Sequence, residues 1–131
     1  MRYTGISVSY AVDDVPGTLA FYRDVLGLDV SLVPLGVEGA DVPQGMQVRL
    51  PDGHSFVVYP SPRFRPADFT ELNLKVPDIE SAVDELIANG VVFEQYDAPR
   101  TDAKGIHRDP KVKPVAWFRD PAGNIISLNQ E

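Results

Sequence analysis

Few side chains in this 131-residue chain are equipped for chemistry, and its two histidines are the first to weigh. His54 follows the turn glycine Gly53 and points to the helix side or the turn edge, away from Glu71 by strand parity. His107 stands in TDAKGIHRDPKVKP (101–114), which reads as a long irregular loop. A facial triad of two histidines and one carboxylate needs both rings to converge on one strand cluster, and these positions do not bring them there. With no cysteine in the chain, disulfides, thiolate nucleophiles and Cys-rich zinc sites are excluded. Ser7, Ser9, Ser55 and Ser127 have no histidine in reach to activate a hydroxyl. That leaves Glu71. In a partly dry cleft it could serve as a general base, abstracting a proton next to a carbonyl. Alternatively Arg49, Arg119 or Lys75 neutralises it in an ion pair or ligand clamp, and both readings stay open. Trp117, Tyr59 and Phe64 offer flat surfaces on which a planar or cationic ligand can stack, although Trp117 could equally fill core space.

The elements that must position these residues are legible from periodicity. ISVSYAV (6–12) alternates with period two. Asp14 then caps a helix with Pro16 in its first turn and Val15, Leu19, Tyr22 and Leu26 at helical spacing, stopped by Gly27. Strands follow at LDVSLV (28–33), MQVRL (46–50) and HSFVVY (54–59), the last two joined by Pro51-Asp52-Gly53. The proline-rich PSPRFRPADF (60–69) reads as a linker. Beyond it the plan restarts with the strand ELNLKV (71–76), Asp78 capping a helix with Ile79, Ala82, Val83 and Leu86 inward, and a stop at Asn89-Gly90. VVFEQY (91–96), the polar loop 97–114, VAWFR (115–119) and IISLNQ (125–130) complete it.

Each half is therefore strand, helix and three strands, which predicts one domain over 1–131 made of module 1 (5–60), a linker (61–69) and module 2 (70–131). Val12-Asp13-Asp14-Val15 overlays on Val76-Pro77-Asp78-Ile79, and Pro51-Asp52-Gly53 overlays on Pro121-Ala122-Gly123. In this register Val57 and Ser127 each follow their turn glycine by four positions. Alternation puts Val8, Tyr10, Val12, Phe56, Val58, Leu72, Leu74, Val76, Ile126 and Leu128 on one apolar face that can pack on the helices. The opposite face holds Ser7, Ser9, Ala11, Ser55, Val57, Tyr59, Glu71, Asn73, Lys75, Ser127 and Asn129, joined through the overlay by Gln47, Arg49, Trp117 and Arg119. Polar with a few aromatics, it suits a small-molecule cleft. A solvent-facing sheet surface has the same composition, so the residues alone leave both readings open.

FYRDVLGLDV (21–30), the V-x-D-[VI] turns entering both helices, and WFRDPAGNIISL (117–128) resemble the vicinal oxygen chelate superfamily. That family includes glyoxalase I, extradiol dioxygenases, fosfomycin resistance enzymes and bleomycin-binding proteins. The resemblance covers nearly the whole chain. It implies an α+β fold in which two βαβββ modules form one curved mixed sheet around a cleft, with helices outside, and it implies a homodimer. It speaks to fold more than to activity, because its members do unrelated chemistry. Metal-dependent members take four ligands, usually His, Gln or Glu, from the first and fourth strands of each module, and the matching positions here are Ser7, Val57, Glu71 and Ser127. Only Glu71 is a credible ligand, so the resemblance implies no metal and no cofactor. The reading that follows is a metal-independent protein that binds and sequesters an antibiotic or metabolite through Ser7, Ser9, Arg49, Val57, Tyr59, Glu71, Asn73, Trp117, Arg119 and Ser127. The alternative is a glyoxalase-type lyase or isomerase, or a dioxygenase, with Glu71 as base or as the only strong metal ligand.

Composition bounds the partners. A formal charge of -7 repels a phosphate backbone, and the basic residues form no aromatic-interleaved stripe, which argues against nucleic acid. The same acidity could steer cationic small molecules or serve only solubility. No apolar run approaches the roughly 20 residues that span a bilayer, and MRYTGISVSY lacks the pattern of a signal peptide, so the expectation is a cytoplasmic protein with no membrane partner.

Overall fold

The structure, a computed structural model, describes residues 1–36 and 44–131, so most of the stretch between the predicted strands 28–33 and 46–50 lies outside the described residues. Strand β1 (Ser9–Val12) leads into helix α1 (Val15–Asp24), followed by β2 (Asp29–Pro34), β3 (Gln44–Arg49) and β4 (Ser55–Pro60). Strand β5 (Thr70–Val76), helix α2 (Ile79–Ala88), β6 (Ile106–Asp109), β7 (Val112–Arg119) and β8 (Ile125–Gln130) repeat the order. The fold is α+β, built from two βαβββ modules. The chain divides into two compact units, Met1–Arg65 and Pro66–Glu131. Hydrogen bonding makes one mixed four-stranded sheet in each, ordered β1-β4-β3-β2 and β5-β8-β7-β6. In both the first strand runs parallel to the fourth while the remaining pairs are antiparallel. No helix among the described residues is long and apolar enough to cross a membrane.

The doubling extends to residue register. Ser9 pairs with Val57 and Gln47 lies opposite it, while Asn73 pairs with Ser127 and Trp117 lies opposite that. Trp117 is thus the second module's counterpart of Gln47. The two hairpin turns close alike, with Leu50 N–H donating to His54 O and Asp120 N–H donating to Asn124 O. Their carboxylates differ in place. Asp52, inside the first turn, accepts from His54 N–H at 2.9 Å, whereas Asp120, buried at the start of the second, accepts from Ala122 N–H at 3.0 Å and Asn124 N–H at 2.9 Å.

Each helix begins where its aspartate supplies the missing acceptor. Asp14 takes Gly17 N–H at 3.1 Å, and Asp78 takes Ser81 N–H at 3.3 Å and the Ser81 hydroxyl at 2.8 Å. The buried faces are those that helical spacing requires: Val15, Thr18 and Tyr22 in α1, and Ile79, Val83 and Leu86 in α2. α1 packs on β2, β3 and β4, and α2 on β7 and β8. Tyr10, Val12, Val58, Ile126 and Leu128 are buried as strand alternation demands, and the Tyr10 and Tyr22 hydroxyls hydrogen-bond between β1 and α1. Val8, expected on this face, is 69% exposed because β1 begins only at Ser9 and no ladder holds the residues before it.

The hydrogen bonds from Ser81 hold the Asp78 carboxyl below its ordinary range. A depressed folded-state pKa stabilises the fold above the unfolded value and the contribution is lost as pH falls through the folded value. Asp78→Ala should therefore lower Tm at neutral pH, and thermal melts should show the difference from wild type closing once the pH drops below about 3.9.

Two segments depart from their sequence pattern. VVFEQY, alternating like a strand, makes one isolated bridge between Phe93 and Phe118, together with a bond from Glu94 N–H to Trp117 O at 2.8 Å. The edge position of the second sheet goes to β6, inside the segment that reads as loop. Asp102 builds the turn that makes this possible. It accepts from Lys104 N–H at 2.9 Å and Ile106 N–H at 3.0 Å through its side chain, and from Gly105 N–H at 3.0 Å through its carbonyl. The outer side of this hairpin is tied to α2 by Lys104 on Asp84 at 2.7 Å and Glu80 at 3.3 Å, and by Arg108 on Glu80.

Candidate functional site

In the second unit, β7 sends Trp117 and Arg119 to the same side, and the segment after Phe93 returns along it with Glu94 and Tyr96 in matching alternation. Two cross-contacts result. The Tyr96 ring meets the Trp117 indole edge to face, with centroids 5.5 Å apart and planes at 64°. Arg119 Nε donates to Glu94 Oε1 at 2.8 Å, and its Nη1 donates to the carbonyl of Gly123 at 2.8 Å. His107 lies tilted at 35° to the indole, its centroid 6.4 Å away, with Nδ1 held 2.7 Å from the Arg100 carbonyl. Trp117, Tyr96 and Arg119 line a cavity of about 410 Å³, completed by Asp68, Phe69, Thr70, Ala98, Pro99 and Ile125. Burial, reinforced by the charge of Glu94 and opposed by Arg119, raises the pKa of the Tyr96 phenol, so it remains a neutral hydrogen-bond donor.

The first unit holds a different kind of hollow. Ser7, Ser9, Ser55, Val57 and Tyr59, with Val8, Leu35 and Phe56, line about 430 Å³ of space on the β1/β4 side of its sheet. Its chemistry is aliphatic and hydroxylic, without a charged group among the described residues. Arg49 does not join it as an available cation. Its guanidinium grips both oxygens of Asp29 at 2.9 and 2.6 Å and donates to the Ser31 hydroxyl at 2.9 Å, closing β2 onto β3. The same hydrogen bonds lower the Asp29 pKa.

The structure corrects the partners expected for Glu71. Arg49 and Arg119 are committed to Asp29 and Glu94, and among the described residues Glu71 makes no ion pair. Half-buried, it stands where the pairing of β5 with β8 shifts register between Thr70 and Leu72, a bulge that frees a side chain from strict alternation. Ser127 is buried, donating to Asn73 Oδ1 at 2.7 Å and accepting from Asn129 Nδ2 at 2.6 Å. Asn73 and Ser127 thus hold each other across β5 and β8.

A divalent ion of the kind the resemblance implies does not fit these donors. Val57 offers none, Ser7 is an exposed hydroxyl, and the Ser127 oxygen is already engaged by two amide side chains. Among the described residues no three His, Asp or Glu side chains gather closely enough to hold a metal. His54 is exposed beside Asp52, and His107, which reads as a loop residue, is instead an edge-strand residue against Trp117. Tyr96, Asp68 and Phe69 are among the cavity residues that sequence reasoning missed. The alternation of Glu94 with Tyr96 pointed to the first, and nothing in the linker composition marked the other two.

Comparison with known proteins agrees with the architecture. A family model described as the Glyoxalase/Bleomycin resistance protein/Dioxygenase superfamily matches residues 6–128. No curated protein matches the sequence. Among solved structures, TnmS3, an antibiotic binding protein from Streptomyces sp. CB03234, is 27% identical over 99% of this chain and 98% of that one, with a TM-score of 0.69. A glyoxalase/bleomycin resistance protein from the same organism is 26% identical over 95% of this chain and 100% of its own, with a TM-score of 0.62. The genomically encoded fosfomycin resistance protein FosX from Listeria monocytogenes has a TM-score of 0.68 over 100% of this chain and 95% of its own. At 11% identity that likeness concerns the fold alone.

Proposed function

This chain belongs to the glyoxalase/bleomycin resistance protein/dioxygenase superfamily, and from that premise we propose that it is a metal-independent binding protein that sequesters a small molecule, an antibiotic or a metabolite. The observation that carries the reading is the aromatic corner of Trp117 and Tyr96 in a cavity where Arg119, the charged lining residue besides the exposed Asp68, is paired with Glu94. It is a surface for stacking and hydrogen bonding, with no activated nucleophile beside it among the described residues. Ser7, Ser9, Val57 and Tyr59 would supply aliphatic and hydroxyl contacts in the first module. Arg49 would brace the first sheet through its hydrogen bonds to Asp29 and Ser31, and Asn73 and Ser127 the second through their bond to each other and that of Ser127 to Asn129. TnmS3, the antibiotic binding protein 27% identical to this chain, supports the same reading. The proposal includes a homodimer, since Tyr3, Ile6 and Val8 leave apolar side chains exposed beside the edge strand β1.

One observation favours a catalytic alternative. Glu71, half-buried at a bulge and without an ion pair among the described residues, is a free carboxylate of the sort a general base requires. Metal analysis of protein purified without chelator separates the two. Binding without metal predicts substoichiometric nickel, zinc and iron in wild type and Glu71→Ala alike, and light scattering of the same sample should give twice the 14.4 kDa of one chain. Stoichiometric metal that disappears with Glu71, or turnover of a bound compound that does so, would sink the binding reading.

A further inference from the structure

The cavity of the second module is rich in hydrogen-bond donors and balanced in charge. Arg119 spends Nε on Glu94 and Nη1 on the Gly123 carbonyl, and among the described residues nothing accepts from its Nη2. Nor does any described residue accept from the Tyr96 hydroxyl or the Trp117 indole N–H. All three side chains line the same space. The positive charge of Arg119 is already met by Glu94 at 2.8 Å, which leaves the guanidinium able to donate without attracting an ion strongly. Asp68 is the one carboxylate lining the cavity, and it is exposed at the margin, where water screens it. An anionic ligand would also approach against a protein of formal charge -7. A cationic one would gain little from Glu94, which is already paired with Arg119.

Resting on the binding function above, we infer that this cavity selects flat, uncharged aromatic molecules carrying a ring-conjugated carbonyl at their edge, stacked against Trp117 with the carbonyl oxygen accepting from Arg119 and Tyr96. A site equipped with donors discriminates against a ligand that covers them without satisfying them, and Arg119, 40% exposed in the free protein, gives up its water only where the ligand lies over it. The perpendicular meeting of Tyr96 and Trp117 contributes flat walls, and the unpaired donors decide which edge of the ligand faces inward.

Trp117 is the only tryptophan in the chain, so a ¹⁵N-labelled sample gives one indole N–H cross-peak that reports on this cavity alone. Four ligands on one ring system separate the terms: 2-acetylnaphthalene, its near-isostere 2-ethylnaphthalene, 2-naphthoate and 2-naphthylmethylammonium. The expected result is saturable movement of the indole peak by 2-acetylnaphthalene, with a Kd at least ten-fold below those of the other three. The double variant Arg119→Met, Glu94→Gln removes the donor without stranding its partner's charge, and should bring the acetyl and ethyl compounds within about three-fold of each other. Equal binding of 2-ethylnaphthalene to wild type would overturn the acceptor preference while leaving the binding function standing. Tighter binding of either ion would replace it with a charge preference. No movement with any of the four compounds would overturn both.

Discussion

Trp117→Ala is expected to weaken binding of 2-acetylnaphthalene by about 2 kcal/mol, roughly thirty-fold in Kd, without unfolding the protein. The magnitude follows from losing an aromatic contact surface that Tyr96 does not replace, since it meets the indole at 64° and cannot lie across the vacated space in its present orientation. The fold should survive because Trp117 is only half-buried, unlike its neighbours Ala116 and Phe118, which point the other way into the core. Trp117→Phe keeps a ring but removes the indole N–H and should lose about three-fold. Calorimetry gives the affinities and far-ultraviolet circular dichroism checks the fold. If Trp117 were chiefly a core residue, alanine would cost about 3–5 kcal/mol of stability and the phenylalanine variant would recover stability more than affinity.

Gly105→Ala should be the most destabilising single change near the site, by about 3 kcal/mol and about 10 °C in Tm. Gly105 has φ +86°, and an added Cβ would sit 2.7 Å from Phe93 Cβ and 2.9 Å from the Glu94 carbonyl. Neither neighbour can swing aside, because the first is the root of a buried side chain and the second is backbone. Gly90, at φ +91° with open space around it, is the natural control. Gly90→Ala should cost only the left-handed strain, about 1 kcal/mol, so the difference between the variants isolates the close approach. The consequence reaches the cavity, since displacing Glu94 moves the carboxylate that orients Arg119.

Those two residues also mark where the sequence was and was not informative. The caps at Asp14 and Asp78, the Pro-x-Gly hairpins and the alternation of Tyr10, Val12, Val58, Ile126 and Leu128 are local signals. Each is enforced by groups a few positions away or by one buried face, so each could be read directly. β6 was hidden because an edge strand with one buried residue at its start, Ile106, and charges after it has no alternation to display. Its hairpin exists through Asp102 and Gly105, whose roles depend on accepting particular N–H groups and on approaching Phe93. VVFEQY failed in the opposite sense: it alternates, but β6 holds the ladder it would have joined. For the site, parity correctly set Trp117 beside Arg119. It could not reveal that Arg119 belongs to Glu94, that Arg49 belongs to Asp29, or that the Ser127 hydroxyl is spent on Asn73 and Asn129, because each partner lies across a strand or a loop.

On the proposed function, ligand is held without a metal and released unchanged. The most direct test is the affinity for 2-acetylnaphthalene measured in excess chelator and again with added nickel, zinc or iron(II), followed by mass analysis of the recovered compound. The account predicts the same Kd in every condition and recovery of the starting molecule intact. Binding that vanishes with chelator and returns with a divalent ion in wild type, but not in Glu71→Ala, would contradict it.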